Sequence, residues 1–463
     1  GLYETSHGAT PTHRWLDEHT TTLAEAARDG GYDTFFWSAN LIASPMTNLT
    51  QGFDTVETAF PRKGAQQGRY LKQARRATRD KLVAEDASTE ISPGFAGSTA
   101  DEWGKAVFKD SAPVGHQALV DWLSARQDPA RPFLAYLNLM EAHTPRVPSM
   151  SARRRVADEA TIATALATDA SLFAANEFIV GARDYSEAEL QGIGATYDAA
   201  IVDLDDATGD LLDDLRDRGL LEHTVVVVVA DHGEALGEHR RLEHRWSVYD
   251  QLLHVPLVLW YPDEIAPGRI ADRVTTLDLY ATLSELMGLP KAEGSSGSSL
   301  VGRAKYDRYV FSQMLDPFAS QLASVAKAHP ELDLSPWART YCVVYEGAQK
   351  LIYASDGQHR LYDVTADPAE SVDQLQAEPE RTAALEAALE AFERELPVYD
   401  PSLRGAGDEQ RGESREERMR LQALGYTVED PEDDAPTEGP AAHPATFCGP
   451  YAAVARTTPA GTR

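Results

Sequence analysis

A run of five valines, within residues 224–230, lies near the middle of this 463-residue sequence. An uninterrupted β-branched run of that length is typical of a strand that a sheet buries on both faces. A helix precedes it, because Ser186 and Glu189 have the spacing of a capping box and an apolar stripe follows them. A second apolar run, at 132–140, has the same character. Strand and helix therefore alternate, which predicts an α/β fold with a mostly parallel sheet between two helix layers.

The pattern changes near residue 305, where short apolar segments separated by turns replace this alternation. They predict a small antiparallel sheet with strands at residues 309–312, 340–346, 350–354 and 360–364. A strong helical pattern follows at 378–396. We therefore expect an α/β domain at residues 1–304, a C-terminal α+β subdomain at 305–400, and a charged linker, short helix and disordered tail at 401–463.

Acidic residues dominate the composition, since 73 Asp and Glu face 43 Lys and Arg and the formal net charge is -30. So acidic a surface repels phosphate backbones, and we expect no binding to nucleic acid. No apolar run in the sequence is long enough to span a bilayer. This composition is typical of a halophilic protein from a high-salt cytoplasm, and we expect a cytoplasmic location. The alternative is an ordinary acidic protein from a GC-rich genome.

The histidines are concentrated between His223 and His254, and the centre of that segment is Asp231-His232, directly after the valine run. In open parallel sheets, ligands bind beyond the carboxyl ends of the strands. A carboxylate oxygen beside an imidazole nitrogen suits a divalent cation. The alternative is an Asp that caps the next helix, beside a solvated His.

Three further side chains extend this candidate site. His143 follows the apolar run 132–140 as Asp231 follows the valines, so we expect both at the same edge of the sheet. There His143 could donate to an oxyanion or protonate a leaving group, unless it is a capping or surface residue. His244 and Arg245 could bring positive charge to an anionic ester, with an ordinary polar loop as the alternative. The sequence contains no Gly-x-Ser-x-Gly elbow and no phosphate-binding Gly-Lys-Ser/Thr loop.

These motifs together resemble those of a known family. Residues 225–256, VVVVVADHGEALGEHRRLEHRWSVYDQLLHVP, closely resemble the second metal-binding segment of sulfatases in the alkaline phosphatase superfamily. EAHTP at 141–145 is similar to that family's histidine motif. Weaker similarities follow the family's order at 197–205, 277–290, 361–370 and 420–426. The resemblance covers roughly residues 1 to 427 and implies an alkaline phosphatase-like three-layer sandwich with a C-terminal antiparallel sheet.

The resemblance implies a hydrolase of sulfate monoesters that uses one divalent cation. Asp231 and His232 would be ligands of this metal, for which we expect Ca²⁺, with Mg²⁺, Mn²⁺ and Zn²⁺ as alternatives. His143 and His244 would be catalytic and contact the sulfuryl oxygens or the leaving group. His7 and Arg245 would bind the substrate, which would be a small-molecule or glycan sulfate ester.

Two parts of the family's pattern are missing from the 463 residues. One is the first strand with its paired Asp ligands, and the other is the Cys/Ser-x-Pro-x-Arg segment that carries the nucleophile, commonly a formylglycine. Residues 1–8, GLYETSHG, look like the stretch just downstream of that segment. We therefore expect an amino-terminally truncated chain that is inactive and binds metal weakly. The alternatives are a phosphodiesterase or phosphoglycerol transferase-like enzyme on the same scaffold, or a non-catalytic degenerate copy.

Overall fold

The computed structural model describes residues 2–7, 9, 14–58, 111–291, 294–302 and 308–400. Over these residues the backbone forms two compact units. The first unit comprises Gly1–Asp17 with Val225–Arg404, and the second comprises Glu18–Thr224. The domain boundaries expected at residues 304 and 400 stay predictions, and the tail expected at 401–463 lies outside the described residues.

Three parallel strands form the sheet of the second unit. They are β1 (Asp33–Ser38), β2 (Thr55–Thr58) and β3 (Phe133–Asn138), in the order β2-β1-β3. Phe35 of the central strand pairs with Thr55 on one side and with Ala135 on the other. Phe35 and Trp37 are fully buried in a core that also includes Val114. The predicted parallel sheet is confirmed, although the sequence did not indicate β2.

Five of the helices described in the second unit follow β1 along the chain, and one precedes it. They are α2 (Leu23–Asp29), α3 (Ala112–Ala125), α4 (Met150–Val156), α5 (Glu159–Ala167), α6 (Leu172–Val180) and α7 (Glu187–Asp217), while α1 (Glu4–His7) belongs to the first unit. The predicted capping box is confirmed at the start of α7. The Ser186 side chain accepts from the Glu189 amide at 3.3 Å, and the Glu189 carboxylate accepts from the Ser186 amide at 2.7 Å.

The valine run forms β4 (Val226–Val229) in the first unit, but its surroundings differ from the prediction. It pairs antiparallel with β7 (Leu257–Trp260), and these two strands form a separate ribbon. Val228 and its register partner Val258 are 42% and 54% exposed. The prediction of a strand buried on both faces of the parallel sheet is therefore wrong. A run of apolar residues specifies a strand, whereas its burial depends on distant chain segments that the run does not encode.

An antiparallel sheet forms the other part of the first unit. Its strands are β8 (Tyr309–Met314), β9 (Tyr341–Glu346), β10 (Gln349–Ala354) and β11 (Arg360–Asp363), in the order β11-β10-β9-β8. One face packs on Leu385 and Leu389 of α11 (Pro379–Glu395), and Val248 packs on the other. The predicted C-terminal antiparallel sheet is confirmed.

Shorter elements complete the first unit. They are the hairpin of β5 (Ala235–Leu236) and β6 (Leu242–Glu243), and the helices α8 (Asp250–Leu253), α9 (Asp278–Leu286) and α10 (Ala319–Ala328). Among the described helices of both units, none has the length and apolar character that a membrane span requires.

Candidate active site

Asp231 and His232 lie in the turn that follows β4, and their geometry suits a shared cation. The His232 ring directs Nδ1 at the carbonyl oxygen of Gly233, at 2.8 Å. A carbonyl only accepts, so Nδ1 carries the proton and Nε2 carries the lone pair of the neutral ring. Oδ1 of Asp231 lies 3.8 Å from Nε2, and the Asp231 side chain is 82% exposed. An oxygen and a nitrogen at this spacing can ligate one divalent ion, so the donor set fits the expected metal.

Gly233 allows this turn to form because the backbone passes very close behind it. A Cβ at this position would lie 2.0 Å from the carbonyl oxygen of Gln251, where no side chain fits. The Gly233 amide donates to the carbonyl oxygen of Leu252 at 2.7 Å. Helix α8, which contains Gln251 and Leu252, therefore supports the turn that carries Asp231 and His232 directly.

The β5–β6 hairpin brings His244 back to His232. Leu236 pairs with Leu242, so the residues before β5 and after β6 lie side by side. The His244 ring stacks on the His232 ring with centroids 4.2 Å apart, and its Nδ1 lies 3.1 Å from Oε1 of Glu234. The structure therefore brings together two of the predicted site histidines that the sequence separates by a dozen residues.

Two acidic residues that the sequence interpretation missed lie at this hairpin. Glu234, Glu243 and His244 each offer one ligand atom, and these atoms lie within 4.8 Å of one another. Glu243 is 5% exposed, and the Glu234 side chain is equally buried. Buried carboxylates beside a histidine are candidates for cation binding. The signal was present as a Glu directly after the Asp-His-Gly motif and another directly before His244, but both read as ordinary loop residues.

Arg245 and His7 complete the predicted site residues of the first unit. Arg245 is buried, at 3% exposure, in the loop that follows His244. His7 ends α1, and its Nδ1 accepts a hydrogen bond from the Ala9 amide at 3.1 Å. Burial lowers the pKa of His7, which favours the neutral ring. Their predicted contacts with substrate stay predictions.

His143 lies in the second unit, just beyond the carboxyl end of β3 as predicted. Its amide donates to the carbonyl oxygen of Met140 at 3.2 Å, and its Nδ1 lies 2.5 Å from the carbonyl oxygen of Thr144. By the same reasoning as for His232, Nδ1 carries the proton, and Nε2 carries the lone pair of the neutral ring. The predicted meeting of His143 with Asp231 stays a prediction.

Glu141 anchors the His143 loop, and sequence reasoning did not single it out. Its Oε1 accepts from the backbone amides of Ser111 and Ala112, at 2.7 and 2.8 Å. These amides open α3, so a buried carboxylate caps the positive end of that helix. Because charge-assisted hydrogen bonds are strong, this cap fixes the backbone at Glu141, two residues before His143.

Comparison with known proteins agrees with these motifs. The model of the sulfatase family matches residues 1–289, and the chain belongs to the sulfatase family. Arylsulfatase K from Bos taurus is 30% identical over 217 residues, which are 45% of this chain and 38% of that protein. Arylsulfatase K from Xenopus laevis is also 30% identical, over 218 residues, 45% of this chain and 38% of that protein. The chain thus spans less than half the length of these relatives.

Solved structures show the same fold. A phosphonate monoester hydrolase from Agrobacterium radiobacter superposes with a TM-score of 0.60 at 20% identity, over 84% of this chain and 83% of that one. A protein solved with its substrate D-glucosamine-2-N,6-O-disulfate has a TM-score of 0.58 at 16% identity, over 89% and 88%. The predicted α/β class with an alkaline phosphatase-like fold is confirmed.

Proposed function

We propose that the 463 residues are those of an enzyme that hydrolyses sulfate monoesters with the help of one divalent cation. The observation that carries the proposal is the His232 ring, whose Nδ1 is committed to the Gly233 carbonyl while Nε2 lies 3.8 Å from the Asp231 carboxylate. Family membership and the arylsulfatase K relatives support the sulfate ester as substrate.

Each residue has a role that follows from its surroundings. Asp231 and His232 would hold the cation, which when bound neutralises charge on the ester oxygens as a Lewis acid. With Nδ1 of His244 directed at the Glu234 carboxylate, Nε2 is the ring atom that can reach a sulfuryl oxygen. The substrate would be a small-molecule or glycan sulfate ester, and Ca²⁺ is the expected ion.

His143 is proposed as the general acid for the leaving alcohol. Nδ1 is held by the Thr144 carbonyl, so in the protonated ring Nε2 is the atom that gives up a proton to the ester oxygen. Its backbone is fixed through Glu141 and α3, which limits how far the ring can move during that transfer.

The nucleophile has no assigned residue here, because a Cys/Ser-x-Pro-x-Arg sequence does not occur in the 463 residues. We accordingly propose that these residues alone bind the metal and the ester without turnover. The cytoplasmic location and the halophilic character stay predictions from composition.

Calorimetric titration with Ca²⁺ and Mn²⁺ tests the metal site directly. Asp231→Ala should weaken binding of either ion by at least about tenfold, since it removes the anionic member of the proposed ligand pair. Asp263→Ala, which removes an exposed carboxylate elsewhere in the same unit, is the matched control and should leave the affinity unchanged. Equal affinities for the wild type and Asp231→Ala would show that the ion binds elsewhere.

The choice between sulfate and phosphate esters needs a second measurement. The full product of the gene that encodes these 463 residues is assayed with p-nitrophenyl sulfate and with p-nitrophenyl phosphate. Metal-dependent release from the sulfate supports the proposal. Preference for the phosphate favours the phosphoryl-transfer alternative, and release from neither indicates a non-catalytic copy.

A further inference from the structure

Lys350 is fully buried in β10, although lysine is almost never buried unless its charge is paired. Its ammonium lies 2.9 Å from Oδ1 of Asp250 and 2.7 Å from Oε1 of Glu370. The other oxygen of Glu370 accepts from the Asp250 amide at 2.6 Å. The Tyr345 hydroxyl donates to Oδ1 of Asp250, also at 2.6 Å. We call these four residues the lysine cluster.

The lysine cluster is connected to the metal-binding turn by two short links. Asp250 is the first residue of α8, and the carbonyl oxygen of Leu252 in that helix accepts from the Gly233 amide at 2.7 Å. The Gly233 carbonyl then accepts from Nδ1 of His232. Lys350 is therefore separated from a proposed metal ligand by 118 positions in the sequence but by only one short helix and one turn in space.

Burial and neighbouring charges shift the pKa of two members of the lysine cluster, Asp250 and Tyr345. Burial alone would raise the pKa of Asp250, but the Lys350 ammonium, hydrogen bonds from Tyr345 and Lys350, and the charge of Arg273 together lower it. Arg273 also lies over the Tyr345 ring, with its guanidinium carbon 4.1 Å from the centroid. Burial, followed by the Asp250 charge, raises the pKa of Tyr345 well above its usual value, so the hydroxyl stays a donor.

Such an arrangement is better suited to positioning than to stabilising. Desolvating three charges costs free energy that their attraction barely repays, and apolar residues of similar volume are often as stable. Glu370 also occupies a left-handed backbone conformation, with φ of 49°, which is unfavourable for a residue with a side chain. What charged hydrogen bonds provide instead is one defined geometry.

We propose that Lys350, through Asp250 and Glu370, is the positioning residue that fixes α8 behind the Asp231-His232 turn. The antiparallel sheet thereby acts as the rigid support of the site, and the lysine cluster sets the distance between them. The inference rests on the proposed function for the identity of the ion, whereas its structural part concerns the Gly233–Leu252 hydrogen bond alone.

The test compares Lys350→Met with Leu351→Ala. The measured quantity is the hydrogen-exchange rate of the Gly233 amide, which is monitored by mass spectrometry of peptides covering 231–240. Leu351 is the next residue of β10, is also fully buried, and packs on the opposite side toward α11. Lys350→Met should speed Gly233 exchange about tenfold and weaken Mn²⁺ binding to a similar extent. Leu351→Ala should lower Tm by at least as much as Lys350→Met does. It should leave both the Gly233 exchange rate and the Mn²⁺ affinity unchanged.

Tyr345→Phe covers the case in which Lys350→Met does not fold. It removes a single hydrogen bond to Asp250 and keeps the ring that Arg273 covers, so the same two quantities should change by a smaller factor. Exchange at the wild-type rate in the folded variants overturns the inference, as does equal acceleration in Leu351→Ala. If the wild type binds neither Ca²⁺ nor Mn²⁺, the proposed function is refuted, and the exchange rates still decide the inference.

Discussion

Replacing Gly233 by Ala tests whether the turn that carries Asp231 and His232 approaches α8 as closely as the structure shows. The added Cβ would lie 2.0 Å from the Gln251 carbonyl oxygen and 3.2 Å from the Leu252 Cα, against about 3.4 Å for ordinary contact. Both neighbours are backbone, so the clash cannot be relieved by rotating a side chain. The turn and the helix must separate by more than an ångström, and the Gly233–Leu252 hydrogen bond is then lost.

The expected cost combines two effects. Overpacking of this kind costs about 1–3 kcal/mol. Losing the hydrogen bond of the half-buried Gly233 amide adds about 0.5–1.5 kcal/mol. Thermal unfolding should show this as a decrease in Tm of roughly 5–15 °C, and metal titration should show weakened affinity because the turn also carries His232.

Matched glycines make the result interpretable. Gly194 and Gly209 lie in α7 with open space around the Cβ position, so Ala there should stabilise by about 0.5–1 kcal/mol. Gly297 has the same 2.0 Å approach, to the Leu277 carbonyl oxygen, but lies outside the site. Gly297→Ala should lower Tm as Gly233→Ala does and leave Mn²⁺ affinity intact. A Gly233→Ala protein with wild-type Tm and affinity would refute the reasoning.

Two further predictions concern acidic residues that support the backbone near predicted site residues, one in each unit. Glu141→Ala should lower the free energy of unfolding, measured with denaturant, by about 1–2 kcal/mol, because α3 loses its N-terminal cap. Glu141→Gln should cost less, since an amide oxygen can still accept. Equal costs for the two variants would contradict the capping role. Because the folded pKa of Asp250 lies below its usual value, its carboxylate contributes stability that is present above the unfolded pKa near 4 and is lost as pH falls through the folded pKa. The Tm difference between wild type and Asp250→Asn should therefore be largest at neutral pH and shrink below about pH 4, and a difference independent of pH would contradict the assignment.

Local patterns in the sequence predicted local structure correctly. Ser186 and Glu189 are three residues apart, and the hydrogen bonds that make a capping box depend on nothing else. The short strands β9 to β11 alternate with turns, so their antiparallel order follows from chain connectivity. Asp231, His232 and His244 lie within one short segment of the sequence, and the β5–β6 hairpin brings the two histidine rings together, while their roles stay predictions.

Features that depend on distant residues were not predictable in the same way. The valine run gives no information on its partner strand, and the ribbon with β7 leaves Val228 and Val258 exposed where burial was expected. Lys350 reads as a solvent-facing position in a strand, since nothing near it in sequence indicates that Asp250 and Glu370 surround it. Long-range ion pairs of this kind leave no local pattern.

The loop at residues 239–246, which carries the candidate site residues His244 and Arg245, has a conformation that requires support from other parts of the chain. His239, Arg240, Glu243 and Trp246 all have positive φ, between 50° and 64°, and none of them is glycine. Each such residue costs about 1 kcal/mol or more relative to an ordinary conformation. The segment cannot hold this shape by its own propensity, so contacts from elsewhere must fix it. Trp246 donates to the Pro317 carbonyl oxygen at 2.7 Å, and the lysine cluster anchors α8 at the other end. The strained loop therefore depends on these buried contacts for its conformation. A substitution that removes one of them should displace the candidate site residues before it unfolds the protein.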